Sequence, residues 1–208
     1  QLKRKLLRWR IFAILAILAA IAAWAWQSGD FEKQTEHIAR IHVDGLITGD
    51  APTLKLLDDL AKADRVKGVV VHIDSPGGTT VGSEAIYDKL RVIAAKKPVV
   101  SVMDSVAASG GYITALASDH IVARGNTVTG SIGVVFSFPE VSQLLDKLGI
   151  RMEEVKSAEL KAEPTPYKPM SEKVRAVTNE MVQESFQWFM GLVAERRKLP
   201  MDQVRILA

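Results

Sequence analysis

From residue 37 onward, short β-branched runs alternate with segments of helical periodicity, and no other feature constrains the fold as strongly. Residues 37–43, 68–73, 98–103 and 120–123 read as strands, as do 132–136 and 151–155. Between them, 53–63, 82–95 and 139–148 carry apolar residues at helical spacing. Residues 107–118 are small and apolar without a β-branched run, which predicts a tightly packed helix. A long amphipathic helix follows Ser171. Ser171 and Glu172 suit its start and Arg196 its end, while Val174, Val177, Met181, Phe186, Phe189, Leu192 and Val193 approximate one apolar stripe. Strands alternating with helices predict an α/β domain. The 208 residues suffice for one such domain plus an appendage.

The appendage is N-terminal. Residues 11–26 hold no charge and no proline, and Lys3, Arg4, Lys5, Arg8 and Arg10 precede them. The run is short for a spanning helix, but Leu6, Leu7 and Trp9 extend it if the arginines snorkel. Trp9 on one side and Trp24 and Trp26 on the other resemble the aromatic belts of a membrane span. The basic cluster predicts a cytoplasmic arm (1–10), an anchor (11–26), a polar linker (27–36) and an exported domain (37–208). A cleaved signal peptide is the alternative, with Ala23-Trp24-Ala25 as its processing site. Both readings export the domain. The first ten residues carry more positive charge than the whole chain's net +3, so the globular remainder is net acidic. That argues against nucleic acid as a partner. The absence of cysteine excludes disulfides, thiolate metal sites and a cysteine nucleophile. The chain starts at Gln1 and stops at Ala208 without a recognisable stop, so a fragment of a longer protein is expected.

Three segments use glycine and serine where packing alone does not ask for them. Asp74-Ser75-Pro76-Gly77-Gly78 follows a strand, where exposed N–H groups can bind an oxyanion or simply make a turn. Ser105-Val106-Ala107-Ala108-Ser109-Gly110-Gly111-Tyr112 places a serine with small neighbours at a strand-to-helix junction. Ser109 there is either a nucleophile or, like Ser105, a helix cap. A serine nucleophile needs a base. His37, His42, His72 and His120 lack a triad-like setting, whereas a lysine serves if an apolar site desolvates it. Lys161, between Leu160 and Ala162 in the segment 156–164, is compatible with that role.

Together with Thr129-Gly130-Ser131-Ile132-Gly133-Val134, these segments resemble, in order and spacing, the signal peptide peptidase A family. The resemblance runs from about His37 to the end of the chain and implies a ClpP/crotonase-like α/β fold of repeated β-β-α units. It implies that Ser109 is the nucleophile, Lys161 the general base, Ser131 the residue orienting the lysine, and Gly78 and Gly110 the oxyanion donors. Glu159 replaces the first lysine of a common family motif, leaving Lys156 and Lys161 as candidate bases, with the spacing favouring Lys161. The family's following T-G-R-x-F/T-G segment is missing, so the domain is expected to be C-terminally incomplete. The resemblance further implies hydrolysis of signal peptide remnants at the extracytoplasmic side of a bacterial inner membrane, by a homo-oligomer needing no metal or cofactor. Two rivals remain: a crotonase-like acyl-CoA enzyme, and an anchored scaffold without activity.

Overall fold

The computed structural model describes residues 2–27 and 35–208. Most of the expected linker, 28–34, lies outside the described residues. The N-terminal helix α1 (Leu2–Gln27) contains an apolar stretch, Arg4–Trp24, long enough to cross a membrane by length and composition. Its large apolar side chains from Leu6 to Trp24 are exposed.

The remainder is built on one parallel sheet. Strand β1 (His37–Ile47) leads through helix α2 (Ala51–Lys62) to β2 (Val66–Gly78), and helix α3 (Thr80–Ala94) leads to β3 (Val99–Ala108). A short helix α4 (Gly110–Leu116) then precedes β4 (His120–Ala123) and β5 (Val128–Gly130). The order is β1-β2-β3-β4, and every pairing is parallel. β4 and β5 lie end to end along β3: β4 pairs with Val100–Met103, and β5 with Val106–Ala108. The register against β2 slips between Met103 and Ala107, so the top of β3 is an irregular strand.

Strand ends run further than the β-branched runs suggest. The Asp74–Gly78 motif belongs to β2, paired through Ile47↔Gly78, and Ala107-Ala108 finish β3 instead of starting a helix. Of the two further expected strands, 132–136 and 151–155, neither joins the sheet. The helix expected at 139–148 shrinks to α5 (Ser142–Lys147), with no buried residue.

Alternation sets the core. Val69, Val71 and Ile73 of β2 and Val99 and Met103 of β3 point to one face, where Leu57 of α2, Ile86, Leu90 and Ile93 of α3 and Leu116 of α4 cover them. Each such fully buried side chain contributes about 1.5–3 kcal/mol. Helix α6 (Glu172–Arg197) is capped by the Ser171 hydroxyl, which accepts from the Val174 N–H. Its second half adds Phe189, Met190, Leu192 and Val193 to the core, and α7 (Met201–Leu207) adds Val204. The expected stripe is interrupted in the first half: Val174 is buried, but Val177 and Met181 are about half exposed.

Candidate active site

Ser109 occupies the single residue between β3 and α4, with φ 51° and ψ −117°. Positive φ is costly for a residue with a Cβ, and such strain at a strand-to-helix turn is how a nucleophile elbow holds its serine out. Two backbone bonds enforce it. The Ser109 N–H donates to the Gly130 carbonyl (2.9 Å), and its carbonyl accepts from the Ile113 N–H (3.0 Å). The side chain makes no capping bond, so the hydroxyl is not consumed by the helix. Ser105 caps nothing either; it lies within β3.

Glycine backbone closes around this turn. Gly77 has φ 110°, and a Cβ on it would lie 2.9 Å from both the Gly110 nitrogen and the Ser109 Cβ. A Cβ on Gly110 would lie 3.2 Å from the Gly78 nitrogen and 2.2 Å from the Ser83 hydroxyl oxygen. The end of β2 thus packs directly on the start of α4. Its conformation is fixed by buried Ser75, whose hydroxyl donates to the Gly45 carbonyl (2.6 Å) and accepts from the Gly77 N–H (3.0 Å). The Asp74 carboxylate accepts from the Val106 N–H (3.0 Å), tying β2 to the irregular top of β3.

Gly78, Ser109 and Gly110 line one pocket of about 90 Å³. Ile113, Val134, Val135, Trp188 and Phe189 supply its apolar wall, and Thr80 and Ser83 its remaining polar edge. Sequence reasoning misses Trp188 and Ser83: their part in the site depends on how α6 and α3 pack, and no local motif announces it. The hydroxyl, two backbone amides and an apolar recess can together hold an acyl group and a developing oxyanion.

Ser131 follows Gly130, whose carbonyl receives the Ser109 N–H, and also has positive φ (49°). Lys161 is not among the residues lining the Ser109 pocket. It is exposed on an irregular loop and has no side-chain partner among the described residues. The apolar burial anticipated from Leu160 and Ala162 is therefore absent within one chain. Lys156 differs: its ammonium pairs with Glu154 (2.9 Å) and Glu163 (2.8 Å), and bonds to Glu163 and then Glu154 hold it more firmly charged than an ordinary lysine. That is the wrong direction for a base. No histidine lines the pocket. His42 and His72 stack on each other across β1 and β2, and His72 faces Asp104 at 3.5 Å.

Comparison with known proteins identifies the family. Residues 91–208 match peptidase family S49, and residues 51–128 match the Clp protease family. A protease-named protein of Methanocaldococcus jannaschii is 37% identical over 149 residues, covering 72% of this chain and 48% of that relative. A protease-named protein of Synechocystis sp. is 33% identical over 187 residues, covering 89% of this chain and 66% of the relative. The chloroplastic serine protease SPPA of Arabidopsis thaliana is 34% identical, covering 74% of this chain and 23% of the relative. The chain spans about a quarter to two thirds of the length of these relatives. The S49 match covers more than half of the 208 residues and includes both the Ser109 turn and the Lys161 loop, and the chain therefore belongs to peptidase family S49.

Proposed function

We propose that this chain is a serine endopeptidase in which Ser109 is the nucleophile and Lys161 the general base. The observation that carries the reading is the strained Ser109 turn, with its hydroxyl unused by the helix and with Gly78 and Gly110 beside it in a pocket that has an apolar wall on one side. The Ser109 hydroxyl attacks a peptide carbonyl, and the neutral Lys161 amine takes its proton. The Gly78 and Gly110 N–H groups stabilise the oxyanion. Lys161 then protonates the leaving amine; a water that gives Lys161 its proton attacks the acyl-enzyme, the bond to Ser109 breaks, and Lys161 returns that proton to the serine oxygen. Ser131, which follows the Gly130 whose carbonyl accepts from the Ser109 N–H, orients the lysine.

In one chain Lys161 is exposed and outside the pocket, so the reading requires something to bring its amine to Ser109 and desolvate it. A homo-oligomer meets that requirement. The segment leading to the loop exposes Val135, Phe136, Leu148, Ile150, Met152 and Val155, apolar surface suited to a neighbouring copy. The substrate is an apolar peptide such as a released signal peptide, whose side chains suit the wall of Ile113, Val134 and Trp188. The α1 helix (anchor 11–26, after the basic arm 1–10) holds residues 37–208 on the extracytoplasmic side of the bacterial inner membrane. The segment 27–36 serves as the linker.

The test is fluorophosphonate labelling and turnover of an apolar peptide by the full chain. Ser109→Ala and Lys161→Ala should each abolish turnover, and the double variant should lose no more than either single one, because nucleophile and base act as a unit. Full turnover by Lys161→Ala would remove the lysine from the mechanism. Labelling that survives Ser109→Ala would remove the serine.

A further inference from the structure

The loop that carries Lys161 is rich in charge, yet Lys161 has no share in its ion pairs. Two carboxylates lie two residues from it, Glu159 before and Glu163 after. Each is held by another lysine. Glu159 pairs with Lys173 at the start of α6. Glu163, whose side chain is only 6% exposed, pairs with both Lys156 and Lys168. Glu154 completes the group, 2.9 Å from Lys156 and 3.8 Å from Lys168. The return limb of the loop is anchored independently, since the Pro166 carbonyl accepts from the Val141 N–H (2.8 Å).

We propose that Lys156 and Lys168 are positioning residues that hold the Glu154 and Glu163 carboxylates away from Lys161, so that the loop presents one unpaired amine. The chemistry requires this. A carboxylate beside a lysine favours the ammonium form, and an ammonium cannot take a proton from serine. Four charges of alternating sign satisfy one another at the base of the loop, and Lys173 occupies the remaining flanking acid. The tight turns that carry the tip, the Lys161 N–H to the Ala158 carbonyl (3.1 Å) and the Glu163 N–H to the Leu160 carbonyl (3.3 Å), separate the amine from the clasp. The inference rests on Lys161 being the base.

The experiment is the pH dependence of kcat/KM on an apolar peptide, measured with the full chain. Lys156→Met removes one of the two lysines that hold Glu163 and leaves that carboxylate less fully neutralised near Lys161, and the rising limb should move about half to one pH unit toward alkaline, with the loss greatest at neutral pH and closing at high pH. Lys168→Met, at a half-exposed position that tolerates replacement, should move the limb in the same direction. Adding Glu163→Gln to Lys156→Met should return the limb toward its original position, which a merely structural role for Lys156 would not produce. An unmoved limb in both lysine variants, with Lys161→Ala inactive, would overturn the clasp and leave the base assignment standing. An active Lys161→Ala would overturn both.

Discussion

Replacing Gly77 with alanine tests whether the end of β2 positions the nucleophile. The added methyl would meet the Gly110 nitrogen and the Ser109 Cβ at 2.9 Å and the Ala108 carbonyl oxygen at 3.1 Å. None of these is the end of a flexible side chain, so relief comes only by moving the Ser109 turn or the β2 strand. The backbone also resists, because φ is 110°. Strain of that kind costs about 1–3 kcal/mol, and overpacking against fixed atoms costs about another 1–3 kcal/mol. The expected destabilisation is therefore about 2–6 kcal/mol, less whatever the turn recovers by shifting. If it shifts by about 1 Å, the rate of attack should fall about 100-fold. Urea denaturation of the full chain in detergent, followed by tryptophan fluorescence, reads the first effect, and the rate of fluorophosphonate labelling at Ser109 reads the second. A Gly77→Ala protein with unchanged midpoint and unchanged labelling rate would refute the claim that these two segments are packed backbone to backbone.

Two further perturbations follow from the same geometry. Gly110→Ala drives its methyl to 2.2 Å from the Ser83 hydroxyl, whereas Ser83→Ala alone loses only a bond to the Thr79 carbonyl, worth about 1 kcal/mol. The double variant should be more stable than the sum of the singles by about 1 kcal/mol or more, and strict additivity in denaturation midpoints would contradict the contact. Glu163 gives a pH dependence with a defined sign. Its bonds to Lys156 and then Lys168 hold its carboxyl below the ordinary 4.5, so its contribution to the loop is complete above that pH and is lost as pH falls through the depressed value. Hydrogen-exchange protection of residues 154–168 should drop on acidification, and only once the pH is below the ordinary carboxyl value of 4.5. Glu163→Gln should start low and respond little, and equal protection at pH 6 and pH 3 in the unmodified chain would dismiss the clasp as a source of order.

The strands could be placed from sequence because Val69–Ile73 and Val99–Met103 are β-branched or apolar runs buried by helices in the manner their composition implies. Their ends could not. Asp74–Gly78 and Val106–Ala108 have turn-like or helix-like composition, yet they are strand because neighbours exist for them, Ile47 on one side and Val128–Gly130 on the other. The reverse holds at 132–136 and 151–155, where β-favouring residues find no adjacent edge and stay irregular. At the site, the residues around Ser109, Gly78 and Gly110 left a turn or a helix cap open beside the functional reading, and only the resemblance of several motifs in order chose between them; the structure then shows that the Ser109 side chain makes no capping bond. The pocket wall was not legible: Trp188 is eighty residues away, on a helix whose periodicity describes burial without saying against what. Lys161 was singled out only through family resemblance, since one exposed lysine in a charged loop has no local signature, and within one chain it lies outside the Ser109 pocket.

Helix α4, seven buried residues that begin beside Ser109, ends in carbonyls that no water can reach freely. Arginines from elsewhere satisfy them. Arg91 of α3 donates to the Ala117 carbonyl (2.9 Å), and Arg196 of α6 donates to the carbonyls of Leu116 (2.9 Å) and Ser118 (3.1 Å), while Arg197 donates to the Tyr112 hydroxyl (2.8 Å). During synthesis the strand, the turn and the serine are all made before α4 ends, and Leu116 at that end precedes Arg196 by 80 residues. Until then the far end of α4 lacks partners for the Leu116 and Ser118 carbonyls, at about 1–3 kcal/mol for each buried group left unpaired. A nascent chain that ends before α6 therefore already has the Gly130 and Ile113 bonds that set the Ser109 turn, while the Leu116 and Ser118 carbonyls at the other end of the same short helix still wait for Arg196.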